Sequence, residues 1–128
     1  MNQVVVSLGS NVIPQENIQR ARQILATRYD VCRESDFVWT KPVDCPPGSP
    51  DFINGVVLLR TSLQLDFLKQ ELRCIERWME RELTCLSRGS RGIDLDIVVW
   101  NGEVVDTDFY RRAFLRELTL SVLPDLSF

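Results

Sequence analysis

The sequence has no histidine among its 128 residues, and only two of its 15 basic residues are lysines. The absence of histidine excludes Ser-His-Asp and Cys-His catalysis, imidazole acid–base chemistry and histidine-ligated zinc. Long apolar runs are also missing, because the run from Val4 to Leu8 is far too short to span a membrane. We therefore expect neither a membrane partner nor catalysis by imidazole.

The overall composition is that of an ordinary globular chain. Hydrophobic residues make up 45% of the sequence and charged residues 26%, and the length fits a single domain over residues 1–128. A formal net charge of -3 argues against a general nucleic-acid partner. The four cysteines are widely spaced and no signal peptide is recognisable, which predicts reduced thiols in a cytoplasmic protein.

Hydrophobic periodicity predicts the strands and helices. The apolar residues between Leu68 and Met79 recur at helical spacing, whereas four prolines within Lys41–Pro50 predict a loop of restricted freedom. Asn101-Gly102 predicts a hairpin whose second strand covers Glu103–Asp106. Residues 81–92 are polar and predict a loop. The predicted elements, in chain order, are strand Gln3–Leu8, helix Gln15–Arg28, strands Val31–Trp39 and Phe52–Arg60, helix Leu65–Glu80, strand Ile93–Trp100 and a short helix near Phe109–Leu118.

The order β-α-β-β-α-β predicts an α+β sandwich of the ferredoxin-like type, with an added C-terminal hairpin strand. Two helices are expected to cover one face of a single sheet, and the other face is expected to remain for loops or a ligand. Many unrelated activities use this fold, so function has to be argued from particular residues.

Asp94 and Asp96 lie inside an apolar strand. Because side chains alternate along a strand, both carboxylates point to one face, roughly 6–7 Å apart, while Leu95 and Ile97 point into the core. A divalent cation such as Mg²⁺ relieves the repulsion between two such groups. The alternative is a sheet face on which the two acids are solvated or pair with arginines.

Eight of the thirteen arginines lie between Arg73 and Arg116. Guanidinium groups beside a carboxylate–metal centre suit the phosphates of a nucleoside triphosphate. For Arg88 and Arg91, in a glycine-containing loop before the aspartates, we favour this function. For Arg77 we prefer the alternative, in which helix-surface arginines form salt bridges with neighbouring glutamates.

Asn54 is an unusual residue for an apolar strand. Its amide has a donor and an acceptor side that can recognise the edge of a heterocycle, and Phe52 on the same strand face offers a stacking surface. On the residues alone, an asparagine that caps a turn at the strand end is the preferred alternative. The turn Ser7–Asn11 has neither a P-loop lysine nor the glycine spacing of a dinucleotide site.

Three segments resemble the 6-hydroxymethyl-7,8-dihydropterin pyrophosphokinase family of folate biosynthesis. They are Ser7–Asn11, Pro50–Asn54 and Arg91–Ile97, and the resemblance extends from Val4 to about Phe128. The family has the ferredoxin-like α+β fold. The resemblance implies that the terminal pyrophosphoryl group of ATP is transferred to the hydroxymethyl oxygen of the pterin with two Mg²⁺ ions. We expect the protein to be a monomer or a homodimer.

The resemblance also implies a role for each matching residue. Asp94 and Asp96 would hold the metals, and Arg81 and Arg91 would complete the catalytic group around the triphosphate. The residues implied to bind the pterin are Thr40, Val43, Phe52, Asn54 and Phe114. The residues implied to bind ATP are Glu76, Arg88, Arg91, Ile97 and Arg112.

The chain departs from the family pattern around the phosphates. A Pro-His-Tyr motif of the family is absent, and residues 106–112 bridge that gap directly. Arg88 stands where the family has a loop tryptophan, Leu83 where it has a second loop arginine, and Arg73 where it has a glutamine near the adenosine. The chain is thus expected to be a shortened, divergent member with weaker triphosphate binding or loop closure but an intact aspartate pair and pterin pocket.

Two functions follow from this combination. The first is an active pyrophosphokinase in which Arg88, Arg111 or Arg112 replaces the missing groups. The second is a catalytically degenerate paralogue that binds a pterin or a nucleotide as a partner or regulatory module. The joint presence of the aspartate pair, Arg91, Asn54 and Phe52 favours the enzyme.

Overall fold

The computed structural model describes residues 1–80 and 92–128, and within them an antiparallel six-stranded sheet combines with four helices. This is an α+β architecture, as the sequence predicts. The strands are β1 (Asn2–Ser10), β2 (Asp30–Glu34), β3 (Val38–Thr40), β4 (Phe52–Thr61), β5 (Asp94–Trp100) and β6 (Glu103–Val104). The helices are α1 (Pro14–Arg28), α2 (Leu65–Glu80), α3 (Asp108–Arg111) and α4 (Ala113–Val122).

Strand β1 lies at the centre of the sheet, whose order is β2-β4-β1-β5-β6, with β3 pairing to the other end of β4. It pairs antiparallel with β4 on one edge and with β5 on the other. Because side chains alternate along the strand, Val4, Val6 and Leu8 face one side of the sheet and Val5 faces the other. All four side chains are fully buried, so both faces of β1 carry a core.

Helices α1 and α2 pack on the first of these faces. The residue Pro14 suits the first helical position, where no backbone N–H is needed. The apolar stripe of α2 is buried as predicted, and it packs with α1 against β1, β4 and β5. The buried helical residues of this core are Ile18, Ala21, Leu25, Leu68, Leu72, Ile75 and Met79.

No helix in the described part of the chain combines the length and the apolar character of a membrane span.

The second face is only half open, which corrects the expectation that it is left to loops or a ligand. Helix α4 packs Leu115, Leu118 and Val122 against the apolar half of this face. Phe109 of α3 is fully buried in the same cluster. The other half of the face, near the end of β1 at Ser10, carries the polar residues.

The single strand predicted over Val31–Trp39 is instead divided into β2 and β3. Ser35 interrupts it, because its backbone N–H donates to the Val56 carbonyl at 2.9 Å and its hydroxyl oxygen accepts the Val56 N–H at 2.8 Å. The side chain thereby takes a place in the ladder that a backbone carbonyl would occupy. Phe37 then packs its ring over Gly55 of β4.

The hairpin at Asn101-Gly102 is confirmed, since both residues have positive φ angles, 49° and 83°, as a two-residue turn of this kind requires. Its second strand is shorter than predicted and covers only Glu103–Val104. The predicted C-terminal helix is split into α3 and α4. The break is at Arg112, whose backbone is extended with φ -123° and ψ 110°.

Gly55 provides a test of this packing. A Cβ atom at residue 55 would overlap the ring of Phe37, so Gly55→Ala is expected to lower the free energy of unfolding by about 1–3 kcal/mol in urea denaturation. In a Phe37→Ala background the same substitution should cost less than about 0.5 kcal/mol, because the overlapping ring is gone. An equal cost in both backgrounds would show that the Phe37 ring is not the cause.

Candidate active site

The polar half of the second sheet face is built from neighbouring register positions on three strands. Gly9 of β1 pairs with Asn54 of β4 on one side and with Asp94 of β5 on the other, and Ser7 pairs with Asp96. Residues that pair across strands present their side chains to the same face. The pairing therefore places the amide of Asn54 on the same surface as both carboxylates. The alternation of residues predicts the common face of the two carboxylates but not the position of Asn54 beside them.

A cavity of about 290 Å³ lies over this surface, between the sheet, the loop from Lys41 to Asp51 and the start of α4. Its lining brings together all five residues predicted to bind a pterin, the aspartate pair and one predicted phosphate ligand. The sequence-predicted residues in the lining are Thr40, Val43, Phe52, Asn54, Asp94, Asp96, Arg112 and Phe114.

Other predicted site residues lie elsewhere. Ile97 is buried in the core on the α1–α2 side of the sheet, and Glu76 of α2 is also buried. The predicted residues Arg81, Arg88 and Arg91 lie outside the described residues.

A larger cavity of about 530 Å³ lies between α1 and α2, and none of the described site residues lines it. Its lining residues are Arg20, Gln23, Ile24, Thr27, Arg28, Cys74, Ile75 and Trp78.

Asn54 lies inside β4 and is held in place from two sides. Its Nδ2 donates to Thr40 Oγ1 at 2.5 Å. A Cβ atom on Gly9 would lie 2.6 Å from Asn54 Oδ1, so only a glycine leaves room for the amide to lie across β1. The interpretation of Asn54 as a turn cap at the strand end is therefore wrong, because the residue pairs within the sheet with both Gly9 and Val38.

The cavity lining is rich in carboxylates that the sequence analysis did not single out. Five aspartates but only two basic residues contribute to it. Among the described residues, no three acidic or thiol groups converge in a metal-binding arrangement. A cation bound here would thus take its remaining ligands from a bound substrate or from water. The missed acids are Asp44, Asp106 and Asp108, of which the last two repeat the i, i+2 spacing of Asp94 and Asp96.

Asp96 is paired with an arginine, as one of the alternatives for the aspartate pair predicts. Arg73 of α2 donates through Nη2 to Asp96 Oδ1 at 2.8 Å and to the Leu95 carbonyl at 3.0 Å. Its Nη1 donates to Glu76 Oε1 at 2.5 Å, and Glu76 Oε2 accepts the Leu95 N–H at 2.7 Å. Hydrogen bonds made by the side chains of Arg73 and Glu76 thus connect α2 to the first residues of β5, beside the candidate site.

This network shifts the ionisation of both α2 residues. Burial raises the pKa of Glu76 above its ordinary value, although the hydrogen bonds from Leu95 and Arg73 act in the opposite direction. Burial alone would lower the pKa of Arg73, but the hydrogen bonds and charges of Asp96 and Glu76 outweigh it and raise the pKa. Arg73 is therefore a permanent positive charge beside the aspartate pair.

Arg111 and Arg112 connect α3 to the proline-rich loop. Arg111 lies 3.1 Å and Arg112 lies 3.7 Å from the carboxylate of Asp44, which has a left-handed backbone with φ 56°. Both arginines also approach Asp108, at 3.5 and 3.9 Å. The Nε of Arg112 is buried and has no hydrogen-bond partner among the residues that the structure describes. The segment from Asp106 to Arg112 thus borders one side of the cavity, and ion pairs connect it to the proline-rich loop.

Asp106 carries a perturbed carboxylate in the same segment. Burial raises its pKa above the ordinary 3.8, the charges of Asp108 and Asp96 act in the same direction, and the Asp108 N–H and Arg112 oppose them. Because the pKa is higher in the folded than in the unfolded protein, protonation favours folding. This contribution is complete below pH 3.8 and is lost as the pH rises through the folded-state pKa.

Asp106→Asn is therefore expected to raise the free energy of unfolding at pH 7 by about 0.5–1 kcal/mol and to have less effect below pH 4. The asparagine keeps the Oδ1 acceptor that the Asp108 N–H uses at 2.9 Å. Urea denaturation at both pH values measures the difference. The control is the exposed Asp125→Asn, which should change stability little at either pH. No gain at pH 7, or an equal gain at low pH, would contradict the account.

Comparisons with known proteins identify relatives of this chain. The chain is 36% identical to a Synechocystis sp. protein named 2-amino-4-hydroxy-6-hydroxymethyldihydropteridine pyrophosphokinase, over 75% of this chain and 49% of that protein. It is 32% identical to an Arabidopsis thaliana folate synthesis bifunctional protein, over 97% of this chain and 27% of that protein. The aligned part is thus half or less of the length of each of these relatives.

The family comparison covers almost the whole chain. Residues 5–124 match the family model described as 7,8-dihydro-6-hydroxymethylpterin-pyrophosphokinase. This range contains the aspartate pair, Asn54 and the rest of the predicted pterin-binding residues. The chain belongs to the 7,8-dihydro-6-hydroxymethylpterin-pyrophosphokinase family.

Proposed function

We propose that this chain transfers a pyrophosphoryl group from ATP to 6-hydroxymethyl-7,8-dihydropterin in folate biosynthesis. The observation that carries the proposal is the cavity of about 290 Å³, which joins the five candidate pterin-binding residues to the aspartate pair in a chain of this family. The residues come from three strands, a loop and α4, so their convergence is not a consequence of sequence proximity.

Asn54 is the proposed reader of the pterin edge. One of its amide N–H groups is committed to Thr40, which fixes the orientation of the amide and leaves the other N–H and the carbonyl for a ligand. Phe52 and Phe114 line the same cavity and offer apolar ring surfaces between which a flat heterocycle can stack. In the proposal, the backbone groups of Thr40 and Val43 complete the pterin site.

Asp94 and Asp96 are the proposed ligands of two Mg²⁺ ions. Their carboxylates fit this metal because Mg²⁺ prefers hard oxygen ligands and retains positions for water or phosphate oxygens. When bound, the ions supply charge neutralisation on the triphosphate and a more acidic hydroxymethyl group. The two carboxylates hold their positions through the pairing of β5 with β1, in which they oppose Gly9 and Ser7.

Arginines are the proposed ligands of the phosphates. Arg112 presents a guanidinium at the cavity, and a polyphosphate would replace Asp44 or Asp108 as its partner. We also assign Arg81, Arg88 and Arg91 to the triphosphate, and Glu76 and Ile97 to the nucleotide.

In the reaction, the hydroxymethyl oxygen forms a bond to the β-phosphorus of ATP. The bond from that phosphorus to the α–β bridging oxygen breaks, so that AMP leaves, and the hydroxyl proton passes to solvent.

The wider proposal is a ferredoxin-like single domain over residues 1–128 that acts as a monomer or homodimer in the cytoplasm. Support for the ferredoxin-like arrangement comes from the antiparallel order β2-β4-β1-β5 and from α1 and α2 on one face of the sheet. The widely spaced cysteines, which are typical of reduced thiols, support the cytoplasmic location.

The proposed activity is tested by incubating the protein with Mg²⁺, ATP and 6-hydroxymethyl-7,8-dihydropterin and measuring AMP. We expect AMP and the pterin diphosphate in equal amounts, and neither when the pterin or the Mg²⁺ is omitted. Absence of AMP at high protein concentration would contradict the proposed enzymatic activity. Calorimetric binding of the pterin in that case would support the alternative of a binding module without transfer.

Asp96→Ala should lower the rate of AMP formation by at least about a hundredfold, because a charge-stabilising group is lost from the transition state. The thermal unfolding temperature should stay close to that of the wild-type protein. Asp36→Ala is the matched control, since Asp36 is exposed between β2 and β3 and lies outside the cavity lining. Full activity of the Asp96→Ala protein would show that the assignment of the metal ligand is wrong.

A further inference from the structure

The edge of β5 near the candidate site is covered by side chains of α2. Strand β6 pairs with β5 only at Val99 and Trp100 within the described residues. Nearer the site, Glu76 accepts the N–H of Leu95 and Arg73 donates to the carbonyl of the same residue. These two side chains therefore supply the hydrogen bonds that a neighbouring strand would otherwise make.

The guanidinium group of Arg73 that donates to the Leu95 carbonyl also donates to the carboxylate of Asp96. Its Nη2 contacts Oδ1 of this carboxylate at 2.8 Å, while Nη1 is held by Glu76 at 2.5 Å. The position of the guanidinium is thus fixed by the strand edge and by a buried carboxylate, and it does not depend on Asp96. The side chains of Arg73 and Asp96 are 46% and 48% exposed, so solvent screens the pair only in part.

This position makes Arg73 a competitor of any cation that binds at Asp96. One oxygen of the carboxylate is already hydrogen-bonded to a positive group, and that charge also repels a second cation nearby. A triphosphate brings several negative charges and offsets this repulsion. The aspartate pair should then accept a divalent cation more readily together with a nucleotide than alone.

We propose that Arg73 is a built-in counter-ion of Asp96, which weakens the binding of a free divalent cation to the aspartate pair before a nucleotide is bound. The inference rests on the proposed function, because it takes the aspartate pair as the metal site. In this role Arg73 is a positioning residue: it touches a metal ligand and not the reacting atoms. It favours entry of the metal as its complex with the nucleotide.

The test measures Mn²⁺ binding without nucleotide or pterin, by calorimetry and by electron paramagnetic resonance. Arg73→Gln should lower the Kd for Mn²⁺ about three- to tenfold, the size of the Coulomb interaction between a guanidinium and a divalent cation close together at a partly screened site. The matched control is Arg77→Gln, which removes one positive charge from the next turn of α2. Arg77 contacts Cys74 Sγ at 3.6 Å, whereas Arg73 donates to Asp96, so the control should bind Mn²⁺ like the wild-type protein.

The Arg73→Gln protein leaves Glu76 buried without its arginine and is first checked by circular dichroism. If it does not fold, the double variant R73Q/E76Q is compared with E76Q, because the glutamine keeps an acceptor for the Leu95 N–H and the pair differs only in the arginine. The double variant should then bind Mn²⁺ more tightly than E76Q by the same factor.

Equal or weaker Mn²⁺ binding after loss of Arg73 would overturn the proposal, and so would no detectable binding in either protein. An equal gain in the Arg77→Gln control would also overturn it, since the effect would then be one of overall charge. The measurement requires no turnover. Failure of the AMP assay alone would therefore contradict the proposed reaction and leave the result on Arg73 intact.

Discussion

The alternation of side chains along β1 is the constraint on which the rest of the structure depends. Because β1 pairs on both edges, Val6 and Leu8 are directed to the α1–α2 core while Ser7 and Gly9 are directed to the opposite face. The same pairing places Asn54 on one side of Gly9 and the aspartate pair on the other. A shift of one residue in this register would bury the polar row and expose the core.

The candidate site lies on the part of the second face that α4 leaves uncovered. Its apolar residues Leu115 and Leu118 bury the half of the sheet where valines and a leucine project. At the polar half, burial under an apolar helix would leave amide and carboxylate groups without partners, which is costly. The proline-rich loop and α3 border this half instead, and the ion pairs of Asp44 with Arg111 and Arg112 connect the two.

The sequence predicts the features that depend on local spacing. The extent of α2, the hairpin at Asn101 and the common face of Asp94 and Asp96 all follow from periodicities of a few residues. It does not predict the split of the second strand at Ser35, because that break depends on Val56, which is distant in the chain. The sequence also does not predict that α4 covers part of the second face or that Arg73 bonds to Asp96. Both features join segments that only the folded sheet brings together.

The central claim is that the polar half of the second sheet face is the pterin site. Two-dimensional ¹H–¹⁵N NMR during titration with 6-hydroxymethyl-7,8-dihydropterin tests it directly, since it reports binding residue by residue and requires no catalysis. We expect the largest shifts at the backbone amides of Gly9, Asn54 and Gly55, which line the smaller cavity, and little change at Ile24 and Ile75 in the larger one. Shifts confined to the cavity between α1 and α2 would contradict the claim.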